Sequence, residues 1–247
     1  MDHERGDRRF PPTSHTLIEA ITSPHGEERS RALDLLVTAY WRPVYTYLRL
    51  RWHLEPADAE DLTQEFFASL MEKEMFAGYD PKRARFRTYL RVCLDGFASN
   101  RHKAANRLKR GGGVSILSLD FVDAEGDLQT LEVADVSDPE AQFRLTWIRS
   151  LLAESVKQLE GEFKEKGKDR SFEVFERYDL SDLSTGDHPT YAELGQALGL
   201  PATQVNNYLA AARRRFRSIV LDRLRAVCVS DAEFQAEARD LFGRADL

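Results

Sequence analysis

Apolar residues recur at intervals of three and four along most of this chain, and that period restricts its fold more than any other feature. Ala59, Leu62, Phe66 and Leu70 line one face of the stretch after Pro56, while Asp58, Asp61, Glu65 and Glu72 fall on the other. The same spacing joins Leu33, Leu36, Val37, Tyr40 and Trp41, then Phe86, Tyr89, Leu90, Cys93, Leu94 and Phe97, then Phe143, Trp147, Leu151 and Leu152. No alternating strand pattern is sustained, so the expectation is an all-α chain. With 247 residues and 42% hydrophobic content, it has enough apolar side chain to bury a core.

Proline and glycine punctuate the helices. A short helix over Leu17, Ile18 and Ile21 should stop near Pro24 and Gly26, and Pro43 should interrupt the next one. Gly78-Tyr79-Asp80-Pro81 reads as a loop and Gly111-Gly112-Gly113 as a break. The expected architecture is two small helical bundles joined by a flexible acidic linker. Residues 1–13 read as a flexible arm, 14–110 as the first bundle, 111–140 as the linker, 141–227 as the second bundle and 228–247 as a C-terminal tail. Ile116-Leu117-Ser118-Leu119 could add a short extended piece, and Leu117, Leu119, Phe121 and Val122 could instead pack on one bundle and order the linker.

Several classes are excluded early. Cys93 and Cys228 cannot make a disulfide framework, and no CxxC pair suggests zinc. No apolar run approaches the ~20 residues of a membrane span, and Met1–Phe10 is charged with no apolar signal core behind it. These features predict a cytoplasmic chain with no membrane partner.

The net charge of −6 conceals strong segregation. Acids dominate from Glu55 to Asp80, and bases from Lys82 to Arg110. Ser115–Gln142 contains no Lys or Arg, and Arg213-Arg214-Arg215 with Arg217, Arg223 and Arg225 forms a second basic cluster. Alternating blocks suit separate segments to separate tasks. Arg83, Arg85, Arg87, Arg91, Arg101 and Lys103 sit among Phe86, Tyr89 and Phe97. Aromatics within a basic surface can stack on unpaired bases. Phe86, Leu90 and Phe97 read mainly as core, and Tyr89 fits either role.

Near the C-terminus, Thr190 and Glu193 have the spacing of a capping box, Gly195 allows close approach of another helix, and Gly199 can end the helix in a left-handed turn. A second helix from about Ala202 follows and ends in arginines. This is the pattern of a helix-turn-helix whose second helix can enter the major groove. Thr203, Gln204, Asn206, Asn207 and Tyr208 would face base edges, and Arg213 and Arg214 would face phosphates.

Asp58-Ala59-Glu60-Asp61-Leu62-Thr63-Gln64-Glu65-Phe66-Phe67 resembles the acidic signature of bacterial RNA polymerase sigma factors of the sigma-70 family. Phe86-Arg87-Thr88-Tyr89-Leu90 is similar to the stretch that follows it in the extracytoplasmic-function group, and the helix-turn-helix resembles that family's promoter-binding element. The resemblance implies a transcription initiation factor with core RNA polymerase, through its β′ and β subunits, and promoter DNA as partners. An anti-sigma factor or other inhibitory regulator would be a further partner. Asp58, Asp61, Gln64 and Glu65 would dock on the β′ coiled coil. Arg83, Arg85, Arg87, Tyr89, Arg91, Arg101 and Lys103 would hold the minus-ten element, with a flipped base beside the loop from Met75 to Arg87. Thr203, Gln204, Asn206, Asn207, Tyr208, Arg213 and Arg214 would read the minus-thirty-five element. No cofactor, metal or catalytic residue is implied.

Other functions fit less of the chain. Gly111-Gly112-Gly113 lacks the lysine of a phosphate loop, and the six histidines are scattered. A metal-dependent nuclease built on Asp58, Asp61 and Glu65 has an incomplete ligand set. A stand-alone helix-turn-helix regulator would leave the acidic helix and the aromatic basic segment without a task.

Overall fold

The computed structural model describes residues 17–72, 75–105, 119–131, 138–180 and 189–243. The N-terminal arm, Gly111-Gly112-Gly113, Ile116–Ser118 and the last residues of the chain lie outside them. The described residues are helical, without strands. The first part holds α1 (Leu17–Ile21), α2 (Gly26–Arg51), α3 (Pro56–Glu72), a 3-10 turn (Met75–Gly78) and α4 (Phe86–Ala105). Next come α5 (Phe121–Leu131) and α6 (Pro139–Glu165). The last part holds α7 (Asp169–Phe175), which runs on as a π turn (Glu176–Leu180), then α8 (Tyr191–Leu198), α9 (Ala202–Val227) and α10 (Asp231–Phe242). No described helix is long and apolar enough to cross a membrane.

The helix α2 is the centre of the fold. It passes through Pro43 without ending, although proline removes a backbone donor and costs a helix interior ~3 kcal/mol. The expected interruption does not occur because Tyr40, Trp41, Val44, Tyr45, Tyr47 and Leu48 are all buried around Pro43 and hold the helix through it. Tyr40 stacks on Trp147 of α6 at 6.2 Å and meets Phe86 of α4 edge-on at 5.8 Å, while Tyr47 meets Phe143 edge-on at 5.8 Å.

The acidic stretch read as linker carries α5. Phe121 meets Trp41 at 5.5 Å and Tyr45 at 5.0 Å, and Ala124 and Leu128 are buried beneath it. Glu125 accepts from Tyr45 Oη at 2.5 Å and from Arg49 Nε at 2.6 Å, and Arg49 holds its carboxyl below the usual range. Packing on α2 thus orders this part of the segment. Of the residues named for that alternative, Phe121 is buried and Val122 is exposed.

The two halves also share a core. α6 and α9, with 27 and 26 residues, are each about 40 Å long at ~1.5 Å per residue. At one end, Phe143, Trp147 and Leu151 of α6 and Val220, Leu224 and Val227 of α9 join the core built on α2. Further along, Leu159, Phe163, Ala212 and Ile219 pack with Phe175, and Val205 and Leu209 pack with Val174, Leu194 and Leu198.

The segment set apart as a tail is α10. Ser230 caps it by accepting from the Glu233 N–H at 3.1 Å, and Phe234 and Ala238 enter the main core. The capping spacing and the apolar period were both present locally, but part of the surface that receives them, at the start of α4, lies more than a hundred residues away in sequence.

Candidate functional site

Three surfaces hold the residues singled out by sequence. The first is α3. Ala59, Thr63, Phe66, Phe67 and Leu70 form its buried face, with the Thr63 hydroxyl donating to the Ala59 carbonyl at 2.7 Å. Thr63 and Phe67 belong to this face, and Leu62 lies half-buried at its edge. Full burial of a large apolar side chain stabilises by ~1.5–3 kcal/mol, so the face anchors the helix and turns its acids outward. Asp58 and Asp61 are exposed, while Gln64 and Glu65 are half-buried. Glu65 pairs with Arg101 of α4 at 2.8 Å, which brings together two residues expected to serve different partners.

The second surface is the basic strip at the start of α4. Phe86, Leu90 and Leu94 are buried beneath it. Arg83, Arg101 and Lys103 are exposed. Arg85, Arg87 and Arg91 instead meet carboxylates from elsewhere in the chain. Arg85 pairs with Glu237 at 3.0 Å and Asp240 at 2.8 Å, and Arg87, which is buried, pairs with Glu237 and lies over the Trp147 ring at 5.4 Å. Arg91 bonds Glu140 at 2.7 Å and Asp95 at 2.9 Å, and Thr88 donates to Glu140 at 2.7 Å. Asp95 also accepts from Trp52 Nε1 at 3.2 Å and Tyr47 Oη at 3.1 Å, so its charge serves this internal network.

Tyr89 is half-buried against Tyr79, with ring centroids 5.2 Å apart, and its hydroxyl donates to the Met75 carbonyl. Burial pushes that hydroxyl up to about 12, with Cys93 adding to the rise. The ring sits where α4 meets the turn from Met75, the loop named for a flipped base.

The third surface is the α8–α9 pair. The Thr190 hydroxyl accepts from the Glu193 N–H at 3.2 Å and the Glu193 carboxylate accepts from the Thr190 N–H at 2.7 Å, completing the capping box. Gly199 ends α8 with φ of 67°, and a Cβ on Gly195 would lie 2.5 Å from the Leu200 carbonyl oxygen. These two glycines let the chain turn sharply into α9. Along α9, Thr203, Asn206 and Asn207 are exposed, and Gln204 donates to the half-buried Tyr208 at 2.6 Å. Arg213 is held by Asp179 at 2.7 Å and lies over the Tyr178 ring at 5.3 Å, whereas Arg214 is exposed.

Sequence reasoning missed the carboxylates that meet the basic strip: Glu140 on α6, and Glu233, Glu237 and Asp240 on α10. Glu233, Glu237 and Asp240 have the three- and four-residue spacing of one helix face. Among the described residues, no group of three or more His, Cys, Asp or Glu side chains could hold a metal ion.

Residues 36–108, which include α3 and α4, match the family model for Sigma-70 region 2. No curated protein and no solved structure matches the chain. The segment carrying the acidic helix and the basic strip is thus similar to a sigma-70 region 2. That match covers 73 of the 247 residues, and in that segment the chain is similar to sigma-70 family factors, a group that serves in transcription initiation.

Proposed function

We propose that this chain is an initiation factor of the extracytoplasmic-function-like kind, which binds core RNA polymerase, brings it to specific promoters and helps separate the strands. The observation that carries this reading is the region 2 match, coupled to a helix whose buried face anchors it and whose Asp58 and Asp61 stay exposed. Asp58, Asp61, Gln64 and Glu65 dock on the polymerase β′ subunit, where carboxylates in a fixed array meet a basic partner. The basic strip of α4, with Tyr89 beside it, takes the minus-ten strand through phosphate attraction and stacking. α9 reads duplex DNA at the minus-thirty-five element with Thr203, Gln204, Asn206, Asn207 and Tyr208, while Arg213 and Arg214 meet phosphates. An anti-sigma factor or similar inhibitor acts by covering these surfaces.

The test is capture of core polymerase. Asp61→Lys with Glu65→Lys should abolish capture while helical circular dichroism is retained, because neither side chain lies on the buried face of α3. Unchanged capture would remove the docking role. Tight duplex binding with no capture by the unaltered chain would make it a stand-alone regulator.

A further inference from the structure

We propose that α10 is an internal gate over the basic strip of α4, occupying Arg85 and Arg87 until nucleic acid displaces it. The inference rests on the reading of that strip as a DNA surface. Three consecutive residues at the start of α4 are held by one face of α10. Arg85 pairs with Glu237 and Asp240, the Phe86 N–H donates to Glu233 at 2.7 Å, and Arg87 pairs with Glu237 in a buried site. The Phe86 amide is one of the donors that the first turn of a helix cannot satisfy internally. Asp240 also pairs with Arg144 of α6 at 3.2 Å, which ties the gate to a second helix.

Carboxylate and phosphate oxygens present the same geometry to a guanidinium. A carboxylate face that fills an arginine strip is therefore a direct competitor of a nucleic-acid backbone. The joint is also incompletely satisfied: Glu237 Oε2, Arg87 Nε, Arg144 Nε and Trp147 Nε1 are buried without hydrogen-bond partners. Such groups are costly, and a buried ion pair with unmet partners is a poor device for stability. It suits a contact that has to be released. Arg83, Arg101 and Lys103 remain exposed, as do Asn206 and Asn207 on α9, so α10 withholds Arg85 and Arg87 from the strip while its outer cations and the α9 helix stay open.

The test uses full-length chains carrying Asp240→Asn alone, or Glu237→Gln with Asp240→Asn. Asp231→Asn is the control, because Asp231 lies on α10 but pairs with Arg225 of α9 at 2.7 Å. The probe is a labelled single-stranded DNA of about 20 nucleotides, titrated at several salt concentrations around 100 mM. The double variant should bind about tenfold more tightly than the unaltered chain, and log K against log salt should steepen by about 0.7 for each arginine released. The Phe86 amide should exchange faster in both test variants, and the control should match the unaltered chain. If Glu237→Gln prevents folding, Asp240→Asn decides alone through the same affinity and exchange measurements. Affinity no higher than that of the unaltered chain in any folded test variant overturns the gate. Polymerase capture by the same proteins separates the two readings: capture with unchanged DNA affinity removes the gate alone, and no capture by the unaltered chain removes the initiation-factor reading.

Discussion

At Gly195 an added methyl group would come within 2.5 Å of the Leu200 carbonyl oxygen, which is backbone and cannot swing aside. Gly195→Ala should therefore lower stability by about 1–3 kcal/mol, the usual range for overpacking. Gly161, exposed in the interior of α6 with nothing near its Cβ direction, should behave in the opposite way. There alanine should raise stability by ~0.5–1 kcal/mol through helix propensity. Thermal melts of the two variants check the contrast in sign. A second residue-scale expectation concerns Glu162. Arg215 on α9 holds its carboxyl down to about 2 through a bond of 2.5 Å, with Gln158 helping. A carboxyl depressed on folding adds stability above its unfolded value near ~4.3, and that stability is lost as pH falls through the folded value. Glu162→Gln should thus destabilise at neutral pH, by about 2 kcal/mol after allowance for solvent screening. The difference from the unaltered chain should shrink steadily as pH is lowered from about 5 towards 2, as denaturant titrations at each pH would show.

Among the elements, α5 and α9 carry the clearest expectations. Phe121 holds α5 on Trp41 and Tyr45, so Phe121→Ala should cost about 3 kcal/mol and release the 121–131 amides to exchange. Equal protection in the variant would mean that Ala124, Leu128 and the Glu125 bonds hold the helix without Phe121. On α9, Asn206→Ala or Asn207→Ala should relax preference at one or two promoter base pairs, costing ~1–3 kcal/mol where a bidentate pair is lost. Arg214→Ala should lower the salt slope by about 0.9 on duplex DNA, the effect of one phosphate contact. Arg213→Ala should lower it less, because Arg213 must first leave Asp179. Binding titrations over a salt series distinguish the four variants. The elements legible in sequence were those set by local chemistry: the apolar stripe of α3, the capping box at Thr190 and the turn at Gly199. The helix through Pro43, the docking of α5 and the clasp of α10 depend on surfaces distant in sequence, so no window of neighbouring residues contained them. The candidate site divides in the same way. Exposure of Asp58, Asp61, Asn206 and Asn207 follows from helical phase, whereas occupation of Arg85, Arg87 and Arg91 depends on helices that begin some fifty and one hundred and fifty positions later.

For the whole molecule, the shared core makes the two halves thermodynamically dependent on each other. Trp147 of α6 is buried against Tyr40 of α2 and lies beneath Arg87 of α4. Trp147→Ala should cost about 3–5 kcal/mol and lower a single calorimetric transition, not split it into two. Separate transitions in the unaltered chain would show that the halves fold independently. The continuity of α9 carries a mechanical consequence. Its far end presents Asn206 and Asn207, and its near end, with Val220, Leu224 and Val227, is set in the core beside α2. From Val220 to Asn206 the helix runs about 21 Å and carries α7 and α8 packed on it, so it acts as a lever: a tilt of ~10° at the clamp moves the tip by about 4 Å, roughly the height of one base pair. Small repacking around Val220 and Leu224 would thus shift Asn206 and Asn207 relative to the basic strip of α4, and on the proposed reading retune the spacing between two DNA elements, without altering any residue on either surface.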